Sequence, residues 1–550
     1  MTVQNDKTLL LETNHPRYEE ARHALTRFAE LRKAPGQVHI YRLTPLSLWN
    51  AAASGMTAAE ILDVLTELSQ HELPHNVRVD VADYVSRYGR VKLINFHGHL
   101  ALRSPDTALL ERLAESEELL PYLLDQPDSH TILVDPGQRG SVKQILIRLG
   151  YPAEDLAGYA TGAPLPLHLR KVTGQGKEFD LRDYQWRAVE RFRAGGSGVV
   201  VLPCGAGKTL VGLGIMSELQ SQTLVLATNI IAVRQWIEQI LDKTSLSVDE
   251  VGEYSGERKD IRPVTIATYQ VTTHRASFVD TETGEIGDRP HLSLFSQGDW
   301  GLIIYDEVHL LPAPVFRMTA EIQARRRLGL TATLVREDGR EADVFALIGP
   351  QRYHVPWRAL EKEGWIATAH CHEIRLDMEE ERRLLYATSP KRQRYRVAAE
   401  NPAKLIAVRA LAERHAADQV LVIGQYLRQL DKIATMLKAP LITGRTPNVH
   451  RSQLYDQFRR GDIRCLVVSR VANFSVDLPA ANVAIQVSGT FGSRQEEAQR
   501  LGRLLRPKAD GAQAHFYTLV TRDSKDQEYA AKRQRFLVEQ GYVYTIHDHL

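Results

Sequence analysis

The stretch Gly198-Val199-Val200-Val201-Leu202-Pro203-Cys204-Gly205-Ala206-Gly207-Lys208-Thr209 decides the fold. Val199–Leu202 is a continuous apolar run, as in a strand buried on both faces of a parallel sheet. The residues after it combine small side chains with a lysine and a threonine, and a helical pattern follows. Phosphate oxygens need closely spaced backbone N–H groups, a helix N-terminus, a lysine charge and a hydroxyl for Mg²⁺. The stretch therefore predicts a strand, a phosphate loop and a helix, although Leu202 stands where the strict pattern has its first glycine. The alternative is a glycine-rich turn that precedes Lys-Thr by chance.

A second apolar run ends in two adjacent acids. Leu302–Tyr305 is followed by Asp306 and Glu307, 98 residues after Lys208. At the carboxyl edge of a parallel sheet, Asp306 can hold Mg²⁺ together with Thr209, and Glu307 can orient and deprotonate an attacking water. The alternative is a solvated strand end. The Asp306–Glu307 pair follows a buried apolar run and lies downstream of a phosphate loop, which favours the catalytic interpretation.

A basic helix lies much later in the chain, at Gln499-Arg500-Leu501-Gly502-Arg503-Leu504-Leu505-Arg506. Arg503 and Arg506 are three residues apart and share one helical face. Such a helix is often only solvated surface. Arginines there can also stabilise the charge that develops on a γ-phosphate during hydrolysis.

From about residue 180 onward, apolar runs alternate with amphipathic helical patterns, which indicates two α/β parallel sheets in tandem. The predicted strands are Gly198–Leu202, Thr223–Ala227, Val264–Ala267, Leu302–Tyr305 and Arg327–Leu330, then Gln419–Ile423, Cys465–Ser469, Val483–Val487 and Phe516–Val520. Upstream, a capping box at Thr57–Glu60 and a hairpin of Val91–Phe96 with Leu100–Arg103 indicate a smaller α+β region, either a winged module or a generic domain. The predicted boundaries are 1–165 for this region, 166–180 for a linker, and 181–355 and 356–550 for the two sheet domains.

Composition narrows the class of protein. The 550 residues are 43% hydrophobic and 25% charged, which excludes a largely disordered chain. The cysteines Cys204, Cys371 and Cys465 are too few and too widely spaced for a disulfide scaffold or a cysteine-based zinc module. No apolar run approaches the roughly 18 residues of a membrane span, so we expect a cytoplasmic protein. Residues 1–170 hold 17 basic and 21 acidic residues, and the mild basic excess lies in the remainder. That excess alone does not establish nucleic-acid binding.

Taken together, these segments resemble the superfamily 2 helicases, and within them the XPB family of DNA repair and transcription helicases, in particular its bacterial members. The resemblance covers Ile132–Tyr544. Its motifs, in order, are Leu181-Arg182-Asp183-Tyr184-Gln185, the phosphate loop, Asp306–His309, Leu328-Gly329-Leu330-Thr331-Ala332-Thr333, Arg336-Glu337-Asp338, Gly492-Ser493-Arg494-Gln495-Glu496-Glu497-Ala498 and Lys532-Arg533-Gln534-Arg535-Phe536. It implies two RecA-like domains that hydrolyse ATP with Mg²⁺ and move on DNA with 3′→5′ polarity in DNA repair.

The resemblance also assigns an ATP site. The expected catalytic residues are Lys208, Asp306, Glu307, Gln499, Arg503 and Arg506, with Thr209 and Asp306 holding Mg²⁺. The expected nucleotide contacts are Arg182, Gln185, Pro203, Cys204, Gly205, Ala206, Gly207, Lys208, Thr209 and Asp477. Near Asp477 the sequence departs from the pattern of the eukaryotic members, because Ala472-Asn473-Phe474 replaces a Gly-Asp-Thr-like stretch. That departure puts the detail of ATP–DNA coupling in question.

Motif positions predict the DNA contacts as well. Hydroxyls and backbone amides suit phosphate contacts that position DNA without reading its sequence. The candidates are Thr228, Asn229, Thr268, Tyr269, Gln425, Thr443 and Ser469. The residues expected to link ATP hydrolysis to strand separation are Thr331, Thr333, Arg336, Glu337 and Asp338. A short thumb-like insertion at about 378–400 would grip a strand through Tyr386, Arg392, Arg394 and Tyr395; the alternative is a solvated basic helix.

Two other functions remain open at this point. One is a double-stranded DNA translocase that remodels duplex without processive unwinding, and the other is a nucleotide-switched scaffold, against which the complete catalytic set argues. We expect a monomer that binds DNA and no membrane, with a repair nuclease or another repair protein as a candidate partner. We expect no metal site at His370-Cys371-His372, on the ground that alternate residues of a strand point to opposite faces.

Overall fold

The computed structural model describes residues 1–34, 37–203, 205–273, 278–279, 286–287, 294–311, 315, 319, 322, 325–334, 340–469, 481–489, 513–539, 542 and 544–548. The chain divides into two compact units. The first comprises Met1–Leu202 and Gly207–His354, and the second comprises Pro203–Ala206 and Val355–Leu550. None of the described helices combines the length and the apolar character that crossing a bilayer requires.

The first unit begins with a four-stranded antiparallel sheet of order β1-β2-β4-β3. Its elements are β1 (Thr2–Val3), β2 (Thr8–Glu12), α1 (Tyr18–Leu25), β3 (Glu30–Lys33), β4 (Val38–Arg42), α2 (Pro45–Ala53), α3 (Ala58–Leu68) and α4 (His75–Arg87). The capping box that the sequence predicts at the start of α3 is present, because the Thr57 hydroxyl accepts from the Glu60 N–H at 3.2 Å and the Glu60 carboxylate accepts from the Thr57 N–H at 2.7 Å.

A five-stranded sheet of order β7-β8-β6-β5-β9 follows. Its elements are β5 (Lys92–Phe96), β6 (His99–Arg103), α5 (Thr107–Ala114), β7 (Leu123–Asp128), β8 (Thr131–Val134), α6 (Arg139–Arg148) and β9 (Glu154–Asp155). The predicted hairpin is β5–β6, and His97 and Gly98 form its turn with φ of 51° and 89°. Two positive φ values suit the twist of a two-residue hairpin, so this His-Gly pair serves the turn.

The first parallel sheet has the order β12-β13-β11-β16-β17-β10-β18. Its part of the chain contains α7 (Asp183–Gly195), β10 (Gly198–Val201), α8 (Lys208–Leu219), β11 (Thr223–Ala227), α9 (Ile230–Lys243), β12 (Val251–Tyr254), β13 (Val264–Thr268), α10 (Tyr269–Thr273), β14 (Phe278–Val279), β15 (Ile286–Gly287), α11 (Leu294–Gln297), β16 (Leu302–Asp306), β17 (Arg326–Thr331), α12 (Glu341–Leu347) and β18 (Gln351–His354). Strands β14 and β15 form a separate antiparallel pair. In the main sheet β17 lies between β10 and β16, with Val201 opposite Thr331 and Asp306 opposite Leu330. The carboxyl ends of these three strands therefore meet at one edge.

The N-terminal region and the predicted linker both bond to the first parallel-sheet domain. In the linker stretch the N–H groups of Leu165 and Arg170 donate to the carbonyls of Gln220 and Lys243, both at 2.9 Å. In the N-terminal region the Gln144 amide donates to Asp343 at 2.9 Å. These segments therefore form one compact unit with the first sheet.

The second parallel sheet has the order β21-β22-β20-β23-β24-β19-β25. Its unit contains α13 (Trp357–Lys362), β19 (Ala369–Leu376), α14 (Glu380–Thr388), α15 (Lys391–Ala399), α16 (Ala403–Arg414), β20 (Val420–Gly424), α17 (Leu427–Leu437), β21 (Leu441–Ile442), α18 (Asn448–Arg460), β22 (Cys465–Ser469), β23 (Val483–Gln486), β24 (Ala514–Thr521), α19 (Lys525–Glu539) and β25 (Tyr544–His547). The predicted fold class, two parallel α/β sheets after a smaller α+β region, is confirmed.

One geometric expectation is wrong. His370 and His372 lie on the same face of β19, where both rings stack on His515 with centroids 5.4 and 5.7 Å away. Side chains two residues apart in a strand share a face, and only adjacent ones point to opposite faces. Their nitrogens bond within the protein, His372 to His547 at 3.1 Å and His370 to Gln513 at 2.9 Å.

Candidate functional site

Two glycines shape the phosphate loop. Gly205 and Gly207 have φ of 83° and 78°, in the left-handed region that side chains with a Cβ rarely adopt. Helix α8 begins directly after Gly207, at Lys208 and Thr209. The Leu202 N–H donates to the Thr331 carbonyl at 3.0 Å, so Leu202 continues the ladder between β10 and β17. A position with extended backbone accepts any side chain, so position 202 does not require glycine. This accounts for the departure from the strict loop pattern.

Lys208 and Glu307 form an ion pair at the strand edge. The Lys208 Nζ lies 3.1 Å from the Glu307 Oε1, and both side chains are largely buried. Glu307 has a φ of 50°, which costs a non-glycine residue roughly 1–2 kcal/mol. Burial raises the pKa of Glu307, but the charges of Lys208 and His309 and its hydrogen bonds outweigh burial, so the pKa is lowered. Glu307 is therefore ionised at neutral pH.

The neighbouring carboxylate, Asp306, has the opposite electrostatic balance. Burial, followed by the charge of Glu307, raises the pKa of Asp306 to about 6, against the opposing effects of Trp236 and Lys208. The Trp236 indole N–H donates to the Asp306 Oδ2 at 3.0 Å, and the Tyr269 hydroxyl donates to the Asp306 carbonyl oxygen at 3.0 Å. The indole thus fixes the orientation of a buried carboxylate that can accept a metal ion.

Sequence reasoning did not identify Trp236. It lies on α9, far from Asp306 in the chain, and no local pattern marks it. A weaker signal existed in Gly212, a glycine inside helix α8, where glycine costs about 1 kcal/mol relative to alanine. A Cβ at Gly212 would lie 2.6 Å from the Trp236 ring, so this glycine makes room for the indole.

A buried chain of polar groups connects Glu307 with the predicted coupling residues. The Thr331 hydroxyl donates to the Thr333 carbonyl at 2.6 Å, so it must accept from the Nδ1–H of His309, also at 2.6 Å. The same Nδ1 lies 3.5 Å from the Glu307 Oε2. Thr331 and Thr333 are therefore linked to the acidic edge through His309.

Gln185, one of the predicted nucleotide contacts, lies against the phosphate loop. Gln185 is buried, and its Oε1 accepts from the Arg182 N–H at 2.9 Å at the start of α7. A Cβ at Gly207 would lie 2.5 Å from the Gln185 Nε2, so the two residues touch. The Arg182 guanidinium donates to the Tyr184 hydroxyl at 3.2 Å.

The DNA-contact candidates of the first unit stand at the carboxyl ends of β11 and β13, which are neighbours in the sheet. Asn229 caps α9, accepting from the N–H groups of residues 231 and 232 at 3.0 Å, and its amide donates to the Thr228 hydroxyl. The Thr268 hydroxyl accepts from the Val271 N–H at 3.2 Å. Tyr269 is buried, with its hydroxyl at Asp306. These side chains thus hold the loops that would meet a DNA backbone.

In the second unit, Ser469 ends β22 and Gln425 follows β20, its neighbour. The Ser469 Oγ and the Gln425 Oε1 are buried and have no hydrogen-bond partner among the residues that the structure describes. Buried polar atoms of this kind are normally satisfied, so a polar ligand at this edge would stabilise them. The Thr443 hydroxyl accepts from the Arg445 N–H at 3.2 Å.

The predicted thumb-like element is the helix pair α14–α15. The Tyr386 hydroxyl accepts from the Lys525 N–H at 2.9 Å, and Arg394 donates to the carbonyls of Ser389 and Ala387. Tyr395 is buried, whereas Arg392 is exposed. Eight of the predicted site residues lie outside the described residues: Cys204, Arg336, Glu337, Asp338, Asp477, Gln499, Arg503 and Arg506.

Three family models match separate parts of the chain. Residues 360–550 match the model of the ERCC3/RAD25/XPB C-terminal helicase. Residues 178–336 match the model of the type III restriction enzyme res subunit, and residues 1–128 match a helicase conserved C-terminal domain.

Curated relatives match over the whole chain. The DNA 3′-5′ helicase XPB of Kineococcus radiotolerans is 56% identical over 549 residues, which cover 100% of this chain and 96% of the relative. The DNA 3′-5′ helicase XPB of Mycobacterium tuberculosis is 54% identical, with coverage of 100% and 97%. The general transcription and DNA repair factor IIH helicase/translocase subunit XPB of Encephalitozoon cuniculi is 32% identical, with coverage of 99% and 82%. The resemblance inferred from the motifs is therefore confirmed, and the chain belongs to the XPB family of helicases.

Proposed function

We propose that this protein is an ATP-hydrolysing DNA helicase or translocase that moves with 3′→5′ polarity and acts in DNA repair. The observation that carries the proposal is the meeting of Lys208, Asp306 and Glu307 at the carboxyl edge of one parallel sheet. Ligands bind at such edges in open α/β sheets. The bacterial relatives, more than half identical over the whole chain, carry the name DNA 3′-5′ helicase.

Lys208 and Glu307 would change partners during the reaction. They pair with each other at 3.1 Å, which compensates both charges. When ATP occupies the loop, Lys208 would turn to the phosphates, and the Glu307 carboxylate released from this pair would orient the attacking water. Hydrolysis would thus start only with phosphate in place.

The residues at this edge fit a magnesium ion. Mg²⁺ prefers oxygen ligands, and the Asp306 carboxylate at the end of β16 and the Thr209 hydroxyl in the first turn of α8 are such donors. When bound, the ion neutralises charge on the phosphates. Trp236 and Tyr269 would hold Asp306 in orientation.

The second domain would complete the site and deliver the motion. Gln499, Arg503 and Arg506 would contact the γ-phosphate, so that closure of the two domains follows ATP binding. Gln425, Thr443 and Ser469, with the loops at Thr228 and Thr268, would hold the DNA backbone. Alternating release of these contacts would advance the protein along one strand.

We further propose a cytoplasmic monomer that works with a repair nuclease or another repair protein. The support for a protein partner is analogy with the Encephalitozoon cuniculi relative, which is named as a subunit of a transcription and DNA repair factor. Analogy with one relative supports an association of this kind without specifying the partner.

Replacing single residues tests the proposed site by phosphate release. Lys208→Ala should abolish turnover, because it removes the charge at the phosphates. Arg503→Ala should lower kcat by roughly 10³ while nucleotide affinity is nearly unchanged, as for other arginine fingers. Lys177→Ala, at an exposed position, is the control and should match the unaltered protein. Normal turnover in either test variant would remove that residue from the site.

A further inference from the structure

The segment Val487–Gly489, which leaves strand β23, is held by three helices. The Lys404 ammonium donates to the Val487 carbonyl at 2.7 Å. The Tyr395 hydroxyl donates to the Gly489 carbonyl and accepts from the Gly489 N–H at 3.2 Å. A Cβ at Gly489 would lie 2.6 Å from the Arg533 Nε, so the guanidinium packs on this glycine. Lys404, Tyr395 and Arg533 are all buried.

The same segment continues the network to the sheet edge. The Ser488 hydroxyl, buried between Val487 and Gly489, accepts from the Gln425 N–H at 2.8 Å. The next residue, Tyr426, packs its ring 6.3 Å from that of Tyr395. Tyr395 is therefore joined to the edge that carries the DNA-contact candidates Gln425 and Ser469.

The burial of Tyr395 decides between two roles, gripping a DNA strand with its ring and positioning the backbone with its hydroxyl. A residue that grips a strand presents its ring to the bases, and stacking is worth about 1–3 kcal/mol per base. The ring of Tyr395 is only 2% exposed and meets Tyr529 edge-on, with centroids 4.9 Å apart. What Tyr395 offers is its hydroxyl, and both functions of that hydroxyl are used on Gly489.

We propose that the Tyr395 hydroxyl is a positioning group, which fixes Ser488 and Gly489 and through them ties the thumb-like helix pair to the DNA-contact edge at Gln425. The inference rests on the proposed function as a DNA-stimulated motor. It gives α14–α15 a role in coupling: a displacement of α15 is transmitted to Gln425 through the two hydrogen bonds between Tyr395 and Gly489 and the bond between Ser488 and Gln425. Direct contact between Tyr395 and DNA is not part of this role.

Tyr395→Phe distinguishes positioning from gripping, since it keeps the ring and removes only the hydroxyl. The measurement is phosphate release by the full-length protein against the concentration of single-stranded DNA. Positioning predicts that the DNA concentration for half-maximal stimulation rises at least about tenfold, because both hydrogen bonds of the hydroxyl to Gly489 are lost, while the KM for ATP stays the same. Ser488→Ala breaks the next bond of the same chain and should give a similar shift. The double variant should add little, because neighbours in one network are not additive.

The matched control is Tyr542→Phe, the same change at another buried tyrosine of the second unit, whose ring packs on Trp357. It should leave DNA stimulation unchanged. A half-saturating DNA concentration in Tyr395→Phe and Ser488→Ala equal to that of the unaltered protein would overturn the positioning role while leaving the proposed motor intact. An unaltered protein whose turnover does not respond to DNA would overturn both.

Discussion

At the scale of single residues, two adjacent carboxylates have opposite electrostatic balances. Asp306 and Glu307 are both buried, yet the pKa of Asp306 is raised to about 6 and that of Glu307 is lowered. The difference arises because Glu307 faces Lys208 and His309, whereas Asp306 faces the negative charge of Glu307. When the surroundings shift the pKa values of two acids in opposite directions, the two acids can take different roles at one pH.

Trp236→Phe tests the indole that orients Asp306. The variant removes the hydrogen bond that favours the ionised form, so the pKa of Asp306 should rise from about 6 by roughly one further unit. Metal binding needs the carboxylate, which is present above this pKa and lost as the pH falls through it. The acid limb of kcat/KM for ATP should therefore move to higher pH. The measurement is a profile of phosphate release from pH 5.5 to 8.5.

The control is Trp365→Phe, the same substitution at a partly exposed tryptophan of the second unit. Its acid limb should coincide with that of the unaltered protein. If the limb of Trp236→Phe also coincides, the indole does not influence the ionisation of Asp306.

At the scale of elements, close packing of helices α8 and α9 sets the geometry of the acidic edge. Gly212 on α8 leaves room for Trp236 on α9, and Trp236 reaches Asp306 at the end of β16. Gly212→Ala would place a Cβ 2.6 Å from the indole ring. Overpacking of this kind costs typically about 1–3 kcal/mol, so we expect lower thermal stability together with reduced turnover.

Gly256→Ala is the matched comparison for this element, since a Cβ there meets no atom within 4 Å. Melting by calorimetry and phosphate release should both be unchanged in that variant. If Gly212→Ala left melting and turnover unaltered, helices α8 and α9 could move apart without loss of stability or activity, and their close packing would not set the geometry of the acidic edge.

The sequence predicted the elements well because the pattern that marks them is local. Apolar runs located nine strands of the two parallel sheets to within one or two residues, as at Thr223–Ala227 and Cys465–Ser469. The runs did not mark β12, β18, β19, β21 and β25. The contacts of individual side chains were harder to predict from the sequence. Tyr269 and Tyr395 stand at positions expected to meet DNA, yet both are buried with their hydroxyls on backbone carbonyls. Which way such a tyrosine points depends on residues far away in the chain.

At the scale of the whole molecule, the amino-acid composition predicted a linker in a segment that packs against the first parallel-sheet domain. The predicted linker at 166–180 overlaps the stretch 158–176, which is rich in glycine and proline. The backbone of this stretch nevertheless forms hydrogen bonds with the first parallel-sheet domain, and Leu165 and Leu167 are buried there. The Gln144 amide of the N-terminal region likewise donates to Asp343. Hydrogen bonds between segments so far apart in the chain leave no local trace, so the sequence could not reveal this attachment.

The proposed DNA motor with 3′→5′ polarity can be tested in one paired experiment. Phosphate release is followed without nucleic acid and with single-stranded DNA, forked duplex or RNA, and strand displacement is followed on duplexes with a 3′ or a 5′ tail. We predict turnover stimulated by DNA and displacement from the 3′ tail alone. Stimulated turnover without displacement would favour the duplex translocase, which a triplex-displacement assay identifies. Displacement from the 5′ tail, or no turnover under any of these conditions, would show that the protein is not a 3′→5′ DNA motor.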